Sequence, residues 1–313
     1  MCKISIIVPV YYNEENLLPL YADLKEKVVD RLKGDTYEII MVDDGSKDKS
    51  YEVMQQLAKV DKNIQIAHLS RNFGEHAAIL AGLSLCSGDC AIRKAADLQE
   101  PSEMILDMVA KYKEGYNVVL AVRTDREESA SQKFFSNMYA SIMKKVALSN
   151  MPKGGFDSFL IDRQVVDHLL NMSEKNTSLM GQILWSGYKT AEVPYVRHKR
   201  AAGESKWTLS KKIKLFVDSI LSFSYFPIQC ITGVGIISCI ISVIWAIVLL
   251  CQKFIGRITV EGYTTIVILI LLSFGIIMLS MGVVGEYIWR MFDATRKRPP
   301  FIIEDLRDKE EKR

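Results

Sequence analysis

The chain has 313 residues, 49% hydrophobic and 25% charged, enough for a full core plus something more, and its length alone allows one or two domains. A net charge of +3 is too small to argue for nucleic acid as a partner, and no basic-aromatic array is present. Six cysteines without a Cys-x-x-Cys pair read as reduced, mostly buried thiols of a cytosolic face, not as a disulfide or zinc framework.

The opening apolar run, Ile4 to Val10, is too short for the core of a signal peptide and is followed at once by Asn13, Glu14 and Glu15. The first domain is therefore expected to stay where it is made. The run itself reads as a buried strand. Leu17, Leu18, Tyr21, Leu24, Val28 and Leu32 then recur at helical spacing, and YEIIMV forms a second strand. A helix over Tyr51 to Val60, the strand NIQIAHL, a helix after Gly74, a strand into Arg93 and Lys94, a helix from Ser102 and the strand NVVLAV continue the alternation. Such a pattern predicts right-handed crossovers and a mostly parallel sheet, with ligands expected at the carboxyl ends of the strands.

Polar residues gather at those ends. The first strand runs out into Pro9, Tyr11, Asn13 and Glu14, the second into VDDGSKDKS, the third into SRNFGEH, and the fourth into Asp97, Gln99 and Glu100. Gly45 and Ser46 read as a tight turn and a helix cap. The adjacent acids Asp43 and Asp44 read as ligand-binding, because two carboxylates side by side repel unless a base, ribose or cation engages one. No Gly-x-Gly-x-x-Gly or Gly-Lys-Ser stretch is present, which disfavours the common dinucleotide and triphosphate folds.

Further on, GGFDSFLIDR places Asp157 before the strand SFLI, where by itself it reads as a turn residue. Asp162 and Arg163 are expected to cap the next helix and form a local ion pair. RHKRAAGESKW gathers Arg197, Lys199, Arg200 and Lys206 around Gly203, suited to an anionic ligand or to anionic headgroups. Residues 208–223 carry an apolar stripe flanked by Lys211, Lys212 and Lys214, the pattern of a basic amphipathic helix at a membrane interface. Phe226 to Cys251 and Tyr263 to Trp289 are each long enough to span a hydrocarbon core of about 30 Å. Basic residues crowd before the first run and after the second, so both termini are expected in the cytoplasm.

IIVPVYYNEENL, VDDGSKDKS, LSRNFGEHAAILAGL and ADLQEP, in that order, resemble the successive motifs of family-2, inverting A-type glycosyltransferases. The branch is the membrane-anchored one, similar to dolichol-phosphate mannose synthase and bacterial polyprenyl-phosphate glycosyltransferases. The likeness extends through KGGFDSFLIDRQVVD and KRAAGESKW into the apolar runs, nearly the whole chain. It implies an α/β fold with a mostly parallel nucleotide-sugar-binding sheet and flanking helices, an interface helix and two transmembrane helices. The boundaries expected are a cytosolic catalytic domain over 1–207, the interface helix over 208–223, a two-helix hairpin over 224–291 and a charged cytoplasmic tail over 292–313.

By the same resemblance a nucleoside-diphosphate sugar is held by Pro9, Tyr11, Glu14, Asp43 and Asp44, with Arg71 and Asn72 lining the pocket. Asp97 is implied as a catalytic residue and as the ligand of a divalent cation, magnesium or manganese. The family's Asp-x-Asp has Ala95 in place of its first acid here, and one carboxylate plus phosphate oxygens and waters can still hold such a cation. Asp157 matches the acid placed near the acceptor, and Arg200 and Lys206 are expected to receive a polyprenyl phosphate. The implied reaction is transfer of a sugar to that lipid phosphate with inversion, for cell-envelope glycan modification, by an enzyme of a bacterial-type inner membrane. A processive polysaccharide synthase and a catalytically dead membrane adaptor are the alternatives. A homo-oligomer is left open.

Overall fold

The computed structural model describes residues 1–32, 34–125, 144, 150–152, 155–172, 178–197, 217–222, 224, 226–254 and 262–307. Its centre is an eight-stranded sheet made of β1 (Lys3–Val10), β2 (Thr36–Asp43), β3 (Ile64–Leu69), β4 (Cys90–Arg93), β5 (Val118–Asp125), β6 (Phe156–Asp162), β7 (Thr190–Val196) and β8 (Ile303–Arg307). The strands lie in the order β7-β5-β6-β4-β1-β2-β3-β8. β1 pairs in parallel with β2 and β4, β2 with β3, and β5 with β7. β6 runs antiparallel to both β4 and β5, and β8 antiparallel to β3. The sheet is thus mixed but mostly parallel.

Helices cover both faces, which is why the central strands are apolar without alternation. Ile4, Ile6, Val8, Ile39 and Met41 point to the layer formed by α1 (Glu14–Lys27), α2 (Ser50–Val60) and α4 (Met104–Lys113), where Leu17, Leu20, Leu24, Met54 and Ile105 are buried. Each such side chain contributes about 2 kcal/mol through its removal from water. Ile7, Ile40 and Val42 point to the opposite layer, with Ala78 and Ile79 of α3 (Glu75–Leu85), Val166 of α5 (Arg163–Asn171) and Ile183 of α6 (Leu179–Trp185). Gly82 lets α3 sit close on β1, since a Cβ there would lie 2.4 Å from Ile7 Cγ2.

Two long helices follow, α7 (Phe226–Phe254) and α8 (Tyr263–Thr295), of 29 and 33 residues. At 1.5 Å per residue they are about 43 and 50 Å long. Large apolar side chains on both, among them Ile237, Ile241, Ile270 and Met281, are more than half exposed. Among the described residues one stretch, Ser273–Thr295, is long and apolar enough to cross a membrane. Near its end Arg290 pairs with Glu286 at 3.2 Å and with Asp218 at 2.6 Å, which fastens α8 to the helical residues 217–222.

The stretch expected as a charged tail contains a strand. Within that stretch residues 303–307 form β8: an irregularity in its register with β3 sets Ile303 opposite Leu69 and Leu306 opposite Ala67, although the two apolar residues are three apart. Asp162 caps α5 as expected, accepting from Val165 N at 2.9 Å. Arg163 does not pair with it. Its guanidinium donates to the Gly88 and Cys86 carbonyls and lies 3.8 Å from Asp167.

Candidate active site

Strand direction decides which residues meet. The parallel strands bring their carboxyl ends to one edge, and the reversed strands β6 and β8 bring their amino ends to the same edge. All eight strands therefore deliver polar residues there: Tyr11 after β1, Asp43 on β2, His68 on β3, Asp97 after β4, Arg123 on β5, Asp157 on β6, Arg197 after β7 and Glu304 on β8.

The two acids of VDDGS are engaged by the protein itself. Asp43 is fully buried, 2.6 Å from His68 Nδ1, and accepts from Ser46 N at 3.3 Å. Asp44 accepts from the backbone N–H groups of Phe73 at 2.7 Å and Gly74 at 2.9 Å. Burial pushes the Asp44 carboxyl up to about 6, against the pull of those two donors. Partners within the protein thus engage both acids: a histidine stands against one and a peptide loop against the other. Gly45 (φ +69°) closes the arrangement, since a Cβ there would lie 2.6 Å from the Arg71 carbonyl carbon. The motif thus clamps the loop that leaves Arg71 and Asn72 exposed. Pro9, Tyr11 and Glu14 are partly exposed beside it, and Glu14 accepts from Lys49 N at 2.7 Å.

At the end of β4, Arg93 and Lys94 diverge to opposite sides of the sheet. Arg93 pairs with Glu100 at 2.7 Å and with Glu75; burial opposes its charge, but these two acids hold it above the usual arginine value. Lys94 has no exposed surface and donates to the Glu100 carbonyl, and burial pushes its ammonium below the usual lysine value. Glu100 is 4% exposed and accepts from Ala95 N at 3.1 Å and Ser158 Oγ at 3.0 Å. Burial disfavours its charge, yet Arg93 and Lys94 bring it below the usual carboxylate range. Glu100 is therefore committed to the interior and offers no second oxygen to a cation at Asp97. Asp97 is half-buried and turns the loop by accepting from Gln99 N at 3.2 Å, across Leu98 at φ 60°. A left-handed leucine is costly by about 1 kcal/mol or more, and such conformations cluster at functional sites.

Asp157 is the second residue of β6, not a turn residue. It pairs with Arg123 and accepts from Tyr195 OH at 3.1 Å, while Arg123 Nε donates to the same hydroxyl at 3.3 Å. β5, β6 and β7 are thus tied at the edge by one ion pair and two charge-assisted hydrogen bonds. Burial, and then Asp157, push the Tyr195 hydroxyl above its usual value. Arg197, following β7, reaches across to Gln99 in the Asp97 loop. Arg200 and Lys206 lie outside the described residues.

Sequence reasoning missed His68, Arg123 and Tyr195. His68 and Tyr195 sit inside apolar strand patterns, and only the register puts them beside acids.

The sequence profile of the family described as Glycosyl transferase family 2 matches residues 5–170. Among relatives, the uncharacterized glycosyltransferase YkcC of Bacillus subtilis (strain 168) is 38% identical over 310 residues, 99% of this chain and 95% of its own length. The prophage bactoprenol glucosyl transferase homolog of Escherichia coli (strain K12) is 34% identical, over 97% of this chain and 99% of that protein. The bactoprenol glucosyl transferase of Shigella phage SfV is 32% identical, over 98% and 100%. Among solved structures, the mannosyltransferase PcManGT from Pyrobaculum calidifontis in complex with GDP-Man and Mn2+ aligns with a TM-score of 0.47 at 16% identity, over 65% of this chain and 58% of that one.

Proposed function

Since the chain belongs to glycosyl transferase family 2 and is a glycosyltransferase, we propose that it transfers a sugar from a nucleoside-diphosphate sugar to a polyprenyl phosphate, with inversion at the anomeric carbon. The observation that carries this reading is the single edge at which all eight strand ends meet, one end of it built around Asp43 and Asp44 and the other around Asp157 and Arg123. Relatives named bactoprenol glucosyl transferase match almost end to end and support the lipid acceptor.

In this reaction an oxygen of the lipid phosphate forms a bond to the anomeric carbon as the bond from that carbon to the diphosphate breaks, and the nucleoside diphosphate leaves. The partly exposed Tyr11 and the exposed Arg71 and Asn72 meet the nucleoside. Asp43 and Asp44 hold the turns that present them. Asp97 would hold a divalent cation through its single carboxylate, together with oxygens of the bound diphosphate; among the described residues no group of three or more acids, histidines or cysteines could cage a metal alone. Such a cation supplies neutralising charge to the leaving diphosphate. Asp157, about one-third exposed, faces the acceptor and orients it. It has little proton to remove, because a phosphate monoester with a second pKa of about 6 is mostly dianionic at neutral pH. Arg200 and Lys206 are assigned to the lipid phosphate by their charge. The two apolar helices form a hairpin in the bilayer, with the catalytic domain and both termini cytoplasmic.

The test is to incubate membranes carrying the chain with polyprenyl phosphate and a panel of labelled nucleotide sugars. Label in the lipid extract, lost in Asp97→Asn, is the expected result. No labelled lipid from any donor would refute the reading.

A further inference from the structure

His68 lies on β3 with its side chain 22% exposed, while its partner Asp43 is wholly enclosed. A carboxylate only accepts, so the Nδ1 that stands 2.6 Å from Asp43 Oδ2 is the donor. The contact is one link of a longer line. Asp43 accepts from Ser46 N at 3.3 Å, and Ser46 Oγ accepts from Tyr12 N at 3.0 Å. Tyr12 has φ 53°, and its ring meets that of Tyr11 edge to face at 4.7 Å between centroids. A tyrosine relaxes out of the left-handed region unless its surroundings over-determine it.

The other side of His68 is closed by β8. Tyr51 lies 4.8 Å from the imidazole, ring centroid to ring centroid, and its hydroxyl donates to Asp305 Oδ2 at 2.5 Å. Asp305 is the register partner of His68, and Glu304 Oε2 stands 3.9 Å from His68 Nε2. Ser70 N donates to the Ile302 carbonyl at 3.1 Å, which starts the strand. The segment that follows the long apolar helix α8 thus packs on the histidine from which the line to Tyr12 begins.

We infer that His68 is a positioning residue for the donor: through Asp43 and Ser46 it holds the Tyr11–Tyr12 turn in the shape that receives the nucleoside, and β8 holds His68. This rests on the nucleotide-sugar reading above and adds a residue and a strand to it. Holding the turn before the donor arrives reduces the ordering cost of binding, so the effect falls on donor affinity more than on the chemical step.

The test uses the full-length protein in detergent. UDP-glucose, GDP-mannose and UDP-N-acetylglucosamine serve as probes for equilibrium binding, and lipid labelling reports turnover. For the donor that wild type accepts, His68→Ala should raise Kd and KM about tenfold, the order expected for losing a hydrogen bond to a charged group. The turnover number and the KM for polyprenyl phosphate should stay within about twofold of wild type. His68→Asn, whose amide nitrogen reaches the place of Nδ1, should recover most of the affinity, and His68→Gln, which reaches the place of Nε2, should not. If His68→Ala does not fold, the Asn and Gln pair carries the comparison. Truncation after Pro300 should weaken donor binding in wild type and add nothing in His68→Ala, because both changes break one line. Equal affinity in the Asn and Gln variants, or an unchanged donor Kd in His68→Ala, would overturn the inference alone. A wild type that binds none of the three probes and labels no lipid would overturn the donor reading and this inference with it.

Discussion

Asp44 and Glu38 are both buried carboxylates, and their surroundings move them in opposite directions. Burial lifts Asp44 from its ordinary value of 3.8 to about 6. In that window the folded chain holds the proton more often than the unfolded one. Stability therefore falls as the pH rises through it, by up to about 3 kcal/mol, and the deficit is complete above the folded value. At the opposite edge of the sheet burial also disfavours the charge of Glu38. Lys3 at 2.7 Å and the N–H of Ser87 at 2.6 Å outweigh it and bring the acid from 4.5 down to about 2. Its contribution, again up to about 3 kcal/mol, is complete above the unfolded value and lost as the pH falls towards the folded one. Thermal unfolding in detergent across pH should show both limbs, with Glu38→Gln flattening the acid limb and Asp44→Asn the decline above it. Asp97 belongs to function instead. Asp97→Asn should cut turnover on the order of a hundredfold with little change in unfolding temperature, since the missing interaction is a local electrostatic one made in the transition state. Ala95→Asp, restoring the first acid of the motif, should lower the metal concentration needed for half-maximal activity; a dead Ala95→Asp enzyme would mean a different mode of donor binding.

Between elements, the joints at the edge are stiffer than loops usually are. The turn after β2 and the loop after β3 touch backbone to backbone at Gly45, so Gly45→Ala meets both a clash and a left-handed backbone. The cost should be about 3 kcal/mol or more, with donor binding lost even where the variant folds, as calorimetry with the nucleotide sugar would report. The Asp157–Arg123–Tyr195 group binds β5, β6 and β7 in the same way. Arg123 is only 13% exposed, so Asp157→Asn removes the acid that stands beside a mostly buried guanidinium. Because Asp157 itself is about one-third exposed, the penalty should be about 2 kcal/mol, below that of a fully buried pair. Turnover should fall more than the apparent affinity for lipid phosphate, measured by acceptor titration at fixed donor.

At the scale of the whole molecule, β8 follows α8 after a short connection and returns to the sheet that began with β1. If α7 and α8 cross the bilayer as a hairpin, catalytic domain and C-terminal strand are on the same side by construction. In intact cells an impermeant thiol reagent should leave Ser46→Cys unmodified, in a background without the native cysteines, and should modify Lys253→Cys in the last turn of α7. Labelling of Ser46→Cys before permeabilisation would reverse the proposed topology.

The parallel core and its helices were legible in the sequence, because ISIIVPV, YEIIMV and NIQIAHL are apolar enough to be buried on both faces, and the helical spacing between them leaves no other connection. So was the edge where Asp43, Asp44, Arg71 and Asp97 gather, since strand direction alone brings them together. The sequence by itself determined that much. Only the tertiary structure decided what each acid does there. Register placed His68 against Asp43, the reversal of β6 carried Asp157 to Arg123, and the bend at Leu98 turned Glu100 inward and left Asp97 at the edge. β8 was hidden for a related reason. Five residues in a charged tail have no pattern strong enough to announce a strand, and its apolar side chains become informative only when the open edge of β3 is already in place.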